Sequence, residues 1–380
     1  MPSPASVMIL AGEASADHHA AKIVGALKSR GVDVFGMGGD HMIAQGFDAV
    51  AHSREISILG FWAVVRHLRR ILGVEKRLQR AVLEKRPQVA VLLDLPDFNL
   101  RMARFLKKQD VYVIYYISPQ VWAWRQKRVE LIREVVDEML CVLPFEETFY
   151  LERKVPARFV GHPLVEDLAT RPDHLALRKE LGPGTLIGLL PGSRRQETER
   201  LLVPMLDAAR EIALETPDAR FVLPLAGTST REVVNAITAR YPDVEKRLTL
   251  IDGRSQEVLA TVDSAVVASG TATLEAALIG VPFVAVYRMS GITFAVLRRI
   301  VKVSSIILAN LILGERHIEE LLQGEVNGAR IARALRERLF KADRKIQADD
   351  TRQKLLDTLG SRSPTDEVTG AVMRRIESRK

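Results

Sequence analysis

The sequence predicts an α/β protein: two doubly wound, Rossmann-like parallel-sheet domains with a cleft between them, and a helical tail at the C-terminus. Three observations carry that prediction. Short runs of uninterrupted apolar residues recur along the chain, amphipathic segments of helical length separate them, and the pattern breaks at Gly161-His162-Pro163 and then restarts. A run apolar at every position reads as a strand buried on both faces, and helices on both sides of a parallel sheet bury it that way. The chain has 380 residues, a length that suggests about two domains. Its hydrophobic share of 47% excludes a disordered class.

The elements follow in order. Residues 6–10 read as a buried strand, and 16–30 as a helix that Gly31 stops. A second strand, 32–35, runs into Gly36-Met37-Gly38-Gly39. Strands at 89–93, 111–116 and 137–143 alternate with helices at 61–85, 98–108 and 121–136. A strand at 158–160 precedes the break. The second set has strands at 186–190, 220–223, 248–251, 264–268 and 283–286, with helices at 197–215, 229–240, 256–260 and 272–279 between them. The end of the chain is charged and helical in pattern, without a strand signal. The expected domains are 1–165 and 166–342, with 343–380 as the tail.

Charge narrows the partners. Fifty-five basic against 47 acidic residues leave a net charge of +8, which suggests an anionic partner: nucleic acid, a lipid surface or a phosphorylated substrate. The single cysteine, Cys141, excludes an internal disulfide and a cysteine-cluster metal site. Its apolar surroundings read as a buried structural thiol. The start of the chain has no basic n-region and does not read as a signal peptide. The longest apolar tract, 265–287, is interrupted by Gly270, Glu275, Gly280 and Pro282, so no membrane span is expected.

Ligands of doubly wound sheets bind beyond the carboxyl ends of the strands, so the residues just past each strand matter most. The run 89–93 ends in Asp94-Leu95-Pro96-Asp97-Phe98-Asn99, where Asp94 stands as a catalytic carboxylate would and Asp97 reads as a helix cap or a second acid. The run 186–190 ends in Pro191-Gly192-Ser193-Arg194-Arg195-Gln196. Ser193 with Gln196 fits a capping box, and the same turn with Arg194 and Arg195 fits a phosphate clamp. The run 264–268 ends in Ser269-Gly270-Thr271-Ala272-Thr273-Leu274-Glu275, a turn that lets a phosphate approach the backbone at Gly270 and Thr271. Glu275 there could take ribose hydroxyls or simply complement the helix dipole. After the first strand, Glu13 could bind sugar hydroxyls or cap the helix. The P-loop, dinucleotide, esterase and metal-ligand patterns are absent.

A basic amphipathic stretch remains. Ile58, Leu59, Phe61, Trp62, Val65, Leu68 and Leu72 stand beside Arg66, Arg69 and Arg70. The pattern suits a core-packing helix with a solvated basic face, or a helix lying at a lipid interface. A second such candidate is 292–303. Nucleic acid is disfavoured, because the basic residues are not interleaved with stacking aromatics.

Several of these strings, in order, resemble the lipid-A-disaccharide synthase family of GT-B glycosyltransferases. They are Ala11-Gly12-Glu13-Ala14-Ser15, Asp94 to Asn99, Ser118-Pro119-Gln120-Val121-Trp122-Ala123-Trp124-Arg125, Leu143-Pro144-Phe145-Glu146, Gly161-His162-Pro163, Leu190-Pro191-Gly192-Ser193-Arg194, Ala268-Ser269-Gly270-Thr271-Ala272, Tyr287-Arg288-Met289 and Asn310-Leu311. The resemblance implies an inverting transfer from UDP-2,3-diacylglucosamine to 2,3-diacylglucosamine 1-phosphate (lipid X), with release of UDP and neither metal nor cofactor. It implies Asp94 as the base, Arg194 at the diphosphate, and Glu13, Glu275, Arg288 and Asn310 at further substrate positions. It also implies a homodimer with exchanged C-terminal segments, located on the cytoplasmic face of the bacterial inner membrane. The family pattern has Gly at Ala16 and Pro at Ala309; the latter change is expected to loosen the loop bearing Asn310. A UDP-sugar 2-epimerase of the same architecture and a non-catalytic membrane-associated binding protein are the alternatives.

Overall fold

A computed structural model describes residues 5–56, 61–123, 126–170, 172–225, 228–291, 294 and 305–378; the side chains of 14, 61–68 and 228–230 lie outside that description. The chain divides into two compact units, 1–166 with 360–380, and 167–359. The sequence placed the joint at 165/166 and set 343–380 apart as a tail. The contacts divide at 166/167 and share the tail between the units.

In the first unit the described strands are β1 (Ser6–Ala11), β2 (Asp33–Gly38), β3 (Asp48–His52), β4 (Val89–Leu93), β5 (Tyr112–Tyr116), β6 (Glu138–Cys141) and β7 (Ala157–Phe159). They form one parallel sheet in the order β3-β2-β1-β4-β5-β6-β7. Every residue of β4 and all but the first of β1 are buried, as their uninterrupted Val/Ile/Leu runs require. The chain leaves β1 toward one edge and returns on its other side, so the switch in strand order falls between β1 and β4.

In the second unit the strands are β8 (Leu186–Leu190), β9 (Arg220–Leu225), β10 (Leu248–Asp252), β11 (Ser264–Ala268), β12 (Phe283–Tyr287) and β13 (Glu320–Leu322). Their order is β10-β9-β8-β11-β12-β13, again parallel, with the switch between β8 and β11. Both of those strands are wholly buried.

Strands β3 and β13 were not expected. The first has only Ala49-Val50-Ala51 between Asp48 and His52, and the second is three residues long, both at sheet edges, so neither makes a long apolar run. The predicted helix at 121–136 is shorter, Arg128–Val135. The predicted helix at 61–85 is present as Phe61–Lys85. It buries Val74, Leu78, Ala81 and Val82 at helical spacing and leaves Leu72 and Leu83 exposed. Of the expected lipid-facing residues, Ile58 and Leu59 lie outside the described residues, as do the side chains of Phe61, Trp62, Val65 and Leu68. Most of the second candidate, 292–303, lies outside them too. No described helix is long and apolar enough to cross a membrane.

The C-terminal helices are built into the units. Arg344–Leu359 packs in the second unit against Thr271–Ile279, where Arg352 donates to the Leu278 carbonyl at 2.8 Å. Pro364–Glu377 packs in the first unit against Ala14–Lys28, and Arg158 is ion-paired to Glu367.

Gly36 tests the register of the first sheet. Its φ is +140°, and a Cβ there would stand 2.2 Å from the Ile9 carbonyl oxygen. Gly36→Ala therefore combines backbone strain with a clash that only strand movement relieves. It should lower stability by on the order of 3 kcal/mol, read as an earlier urea midpoint with an unchanged slope.

Candidate active site

The end of β4 is held in an unusual conformation. Asp94 and Leu95 both have left-handed backbones, with φ of +59° and +41°. Such strain persists only where neighbours enforce it, and they are present. Asn99 donates from its side-chain amide to the carbonyls of Leu93 (2.9 Å) and Asp94 (2.6 Å), and the Tyr115 hydroxyl donates to the Asp94 carbonyl at 2.7 Å. Asn99 is fully buried, so its amide belongs to this turn. Gly12 closes the arrangement from β1: a Cβ there would come 1.7 Å from Leu95 Cδ1. Glycine lets the turns after β1 and β4 pack together at the switch point. Asp94 itself is half-buried, past the last hydrogen-bonded residue of its strand.

Asp97 is not the helix cap. Leu95 holds that position, Asp97 lies in the first turn, and its exposed carboxylate is ion-paired to Arg128. That pairing draws it toward a neighbouring helix, away from shared work with Asp94. Glu13 precedes Ala14–Lys28 as its N-cap residue, but its side chain caps no backbone N–H. The anchor of this corner is Asp17, which the sequence did not single out. It is buried and accepts from the N–H groups of Gly39 (2.6 Å), His41 (3.0 Å) and Met42 (3.3 Å). His162 is buried in a turn where its Nδ1 accepts from the Leu164 N–H at 3.1 Å. Burial pushes the Cys141 thiol far up, as expected of an inert structural cysteine.

In the second unit a cavity of about 340 Å³ opens at the carboxyl ends of β8, β9 and β11. Ser193, Arg194, Gly270, Thr271 and Glu275 all line it, so five of the expected substrate residues meet there. Its size is at the low end for small-molecule sites. Two helices begin at its wall, Arg195–Glu215 and Thr271–Ile279. Their free N–H groups give it positive potential without a metal. Gly192 and Gly270, with φ of +103° and +153°, make turns that other residues would strain.

The expected Ser193–Gln196 capping box is not formed. The helix starts one residue later, with Arg194 at the N-cap and Glu197 at the third helical position. Glu197 accepts from the Arg194 N–H at 3.4 Å, and its other oxygen meets the guanidinium at 3.2 Å. Arg195 is turned away onto Glu199, 2.8 Å distant, so the clamp has one arginine rather than two. Glu275 is held at 3.4 Å by Gln256; burial raises its pKa, as does the negative charge of Asp167, against the Gln256 hydrogen bond. Arg288 is exposed just past β12 and is not in the cavity wall.

Asn310 is not among the residues that line this cavity. It is buried, and its amide is saturated within the protein. The NH₂ donates to the Ile318 carbonyl (2.8 Å) and Glu320 Oε1 (2.7 Å), while the oxygen accepts from the N–H groups of His317 (3.1 Å) and Ile318 (3.0 Å). Glu320 also accepts from the Ile306 N–H at 2.9 Å and from the Ser305 hydroxyl, and the Ile306 carbonyl accepts from Ser269 Oγ at 3.2 Å. Asn310 thus braces the turn that carries Gly270. Ala309, one of the two departures from the family pattern, is fully buried in the helix Leu308–Leu313. Ala16, the other departure, is also a buried helical residue.

A family profile described as Lipid-A-disaccharide synthetase matches residues 7–368. The chain is 46% identical over 341 residues to the lipid-A-disaccharide synthase of Myxococcus xanthus, covering 88% of each chain. It is 44% identical to that of Anaeromyxobacter sp. (strain K), covering 90% of this chain and 92% of the other. Among solved structures, a putative UDP-N-acetylglucosamine 2-epimerase from Listeria monocytogenes aligns with a TM-score of 0.66 over 99% of this chain and 98% of its own. At 13% identity, that likeness concerns fold alone.

The brace makes a stability prediction. Asn310→Ala leaves the backbone N–H groups of His317 and Ile318, the latter buried, and the Glu320 carboxylate short of partners. Unfolding free energy should fall by about 3 kcal/mol, measured by urea denaturation; a loss of ligand affinity with unchanged stability would make Asn310 a contact residue instead.

Proposed function

The chain belongs to the lipid-A-disaccharide synthetase family and is a glycosyltransferase of lipid A disaccharide synthesis, and from that premise we propose how its residues divide the reaction. The enzyme joins UDP-2,3-diacylglucosamine to 2,3-diacylglucosamine 1-phosphate and releases UDP. The observation that carries the division of labour is Asp94: a carboxylate at the switch point of the first sheet, on a backbone strained and braced into place.

The Asp94 carboxylate takes the proton of the acceptor 6-hydroxyl as that oxygen bonds to the donor's anomeric carbon. The bond from that carbon to the UDP oxygen breaks on the opposite face, and its electron pair leaves with the diphosphate. Inversion follows from that geometry. The cavity of the second unit receives the nucleotide. Arg194 exchanges Glu197 for the diphosphate, the two helix N-termini add N–H donors, and Glu275 accepts from the ribose hydroxyls. Arg288 adds positive charge at the same edge of the sheet, Glu13 binds sugar hydroxyls beside Asp94, and Asn310 acts through the turn that it braces.

The epimerase alternative has the fold in its favour and no residue-level observation. The non-catalytic alternative gives way to membership of an enzyme family. The substrates' acyl chains call for a lipid surface, and the helix Phe61–Lys85 with its arginines suits the cytoplasmic face of an inner membrane. A homodimer that exchanges C-terminal segments is compatible with a tail already divided between two units.

Asp94→Asn keeps a residue type that tolerates the left-handed backbone and removes the base. Turnover, followed as UDP release with both acylated substrates, should fall by about 10²–10⁴-fold with the melting temperature nearly unchanged; near-normal turnover would remove Asp94 from this role. The membrane reading is checked by flotation with vesicles containing anionic lipid. Trp62→Ser with Leu68→Ser should move the protein out of the floating fraction, whereas unchanged flotation would make that helix face ordinary core.

A further inference from the structure

Glu146 is fully buried, accepts hydrogen bonds from three donors, and has no part in the chemistry described so far. It follows β6 in the helix Pro144–Leu151 and is 1% exposed. Its Oε1 accepts from the Ser118 hydroxyl at 2.6 Å and from the Trp122 indole N–H at 3.0 Å; its Oε2 accepts from the Leu143 N–H at 3.2 Å. Two of those donors belong to the segment after β5, the strand that pairs with β4 and whose Tyr115 holds the Asp94 carbonyl. A third tie comes from Tyr150, whose hydroxyl donates to the Pro119 carbonyl at 3.2 Å. The segment leaves β5 through Ile117, which has a left-handed backbone with φ of +62°. For a β-branched residue that is a true outlier, and such strain clusters at functional sites.

What this scaffold presents is aromatic. Trp122 and Phe145 are both half-buried and pack edge to face, with centroids 5.0 Å apart and planes at 87°. Glu146 occupies the only donor of the indole, so the ring has only carbon to offer a ligand. We propose that Glu146 is a positioning residue that locks the Ser118–Trp122 segment, so that Trp122 and Phe145 form an apolar wall for the acceptor beside Asp94. This rests on the reading of Asp94 as the acceptor's base. Stability alone is a poor reason to bury an acid here. Burial raises the carboxyl pKa to about 7 against the pull of its Ser118 and Trp122 hydrogen bonds, whereas an apolar side chain of similar volume would fill the space without that cost. The wall fits the apolar part of the acceptor, either the first methylenes of an acyl chain or the C–H face of the sugar ring.

The test uses the full-length enzyme and UDP release, with KM measured separately for donor and acceptor. Trp122→Ala and Glu146→Ala should each raise acceptor KM about tenfold, a loss of about 1.4 kcal/mol, and leave donor KM within about twofold. Glu146→Gln keeps an oxygen for Ser118 and Trp122 and should recover most of the loss. An acceptor with shortened acyl chains distinguishes the two apolar ligands: the Trp122→Ala defect vanishes if the wall meets methylenes and persists if it meets the sugar. Should Glu146→Ala fail to fold, the half-buried Trp122 still carries the test. Equal changes in both KM values, or none, would overturn the proposal. If Asp94→Asn is inactive in the same assay, such a result leaves the base assignment standing; if Asp94→Asn is active, the parent reading fails instead.

Discussion

A strand buried on both faces leaves little room for a polar side chain, and most of this molecule's chemistry follows from that constraint. In each unit the central strands are closed to water on both sides, as β1, β4, β8 and β11 show. Charge inside them would cost several kcal/mol. Polar groups are therefore displaced to the strand ends, and the change of direction between β1 and β4, and between β8 and β11, opens space there. Asp94 and Glu13 follow the first pair of strands, and Arg194 and Gly270 the second.

The two switch points use that position differently. The first presents a carboxylate on a strained turn, with the braces Asn99 and Tyr115 directed at backbone carbonyls. The second presents N–H groups, glycine turns and one arginine, an arrangement suited to a diphosphate. Carboxyl groups recur as supports behind both: the buried Asp17 and Glu146 in the first unit, the half-buried Glu320 in the second. Each gathers N–H or O–H donors from another segment and so holds a loop or helix start in place.

Most of the fold and about half of the candidate site were legible in the chain itself, and the division has a physical cause. Uninterrupted apolar runs located the central strands to within a residue or two, because burial on both faces writes itself into every position. Once strand ends are known, Asp94, Ser193, Arg194, Gly270, Thr271 and Glu275 follow. Strands β3 and β13 and the short helices were missed because edge elements bury too little to leave a pattern. The supporting acids were missed for another reason. Asp17, Glu146, Glu197 and Glu320 look like ordinary helical or edge residues, and their partners are distant in sequence or set by where a helix begins.

The sequence alone determined two parallel-sheet units, the carboxyl edges where chemistry belongs, and the family through strings such as Asp94 to Asn99. Those properties are local, written in hydrophobic runs and the turns that end them. Only the tertiary structure decided that Asn310 faces inward, that one arginine rather than two meets the cavity, that Asp97 turns to Arg128, and that the tail is shared between the units. Each depends on which donor finds which acceptor once the chain has closed, and hydrogen-bond partners are chosen by geometry that a linear pattern does not contain.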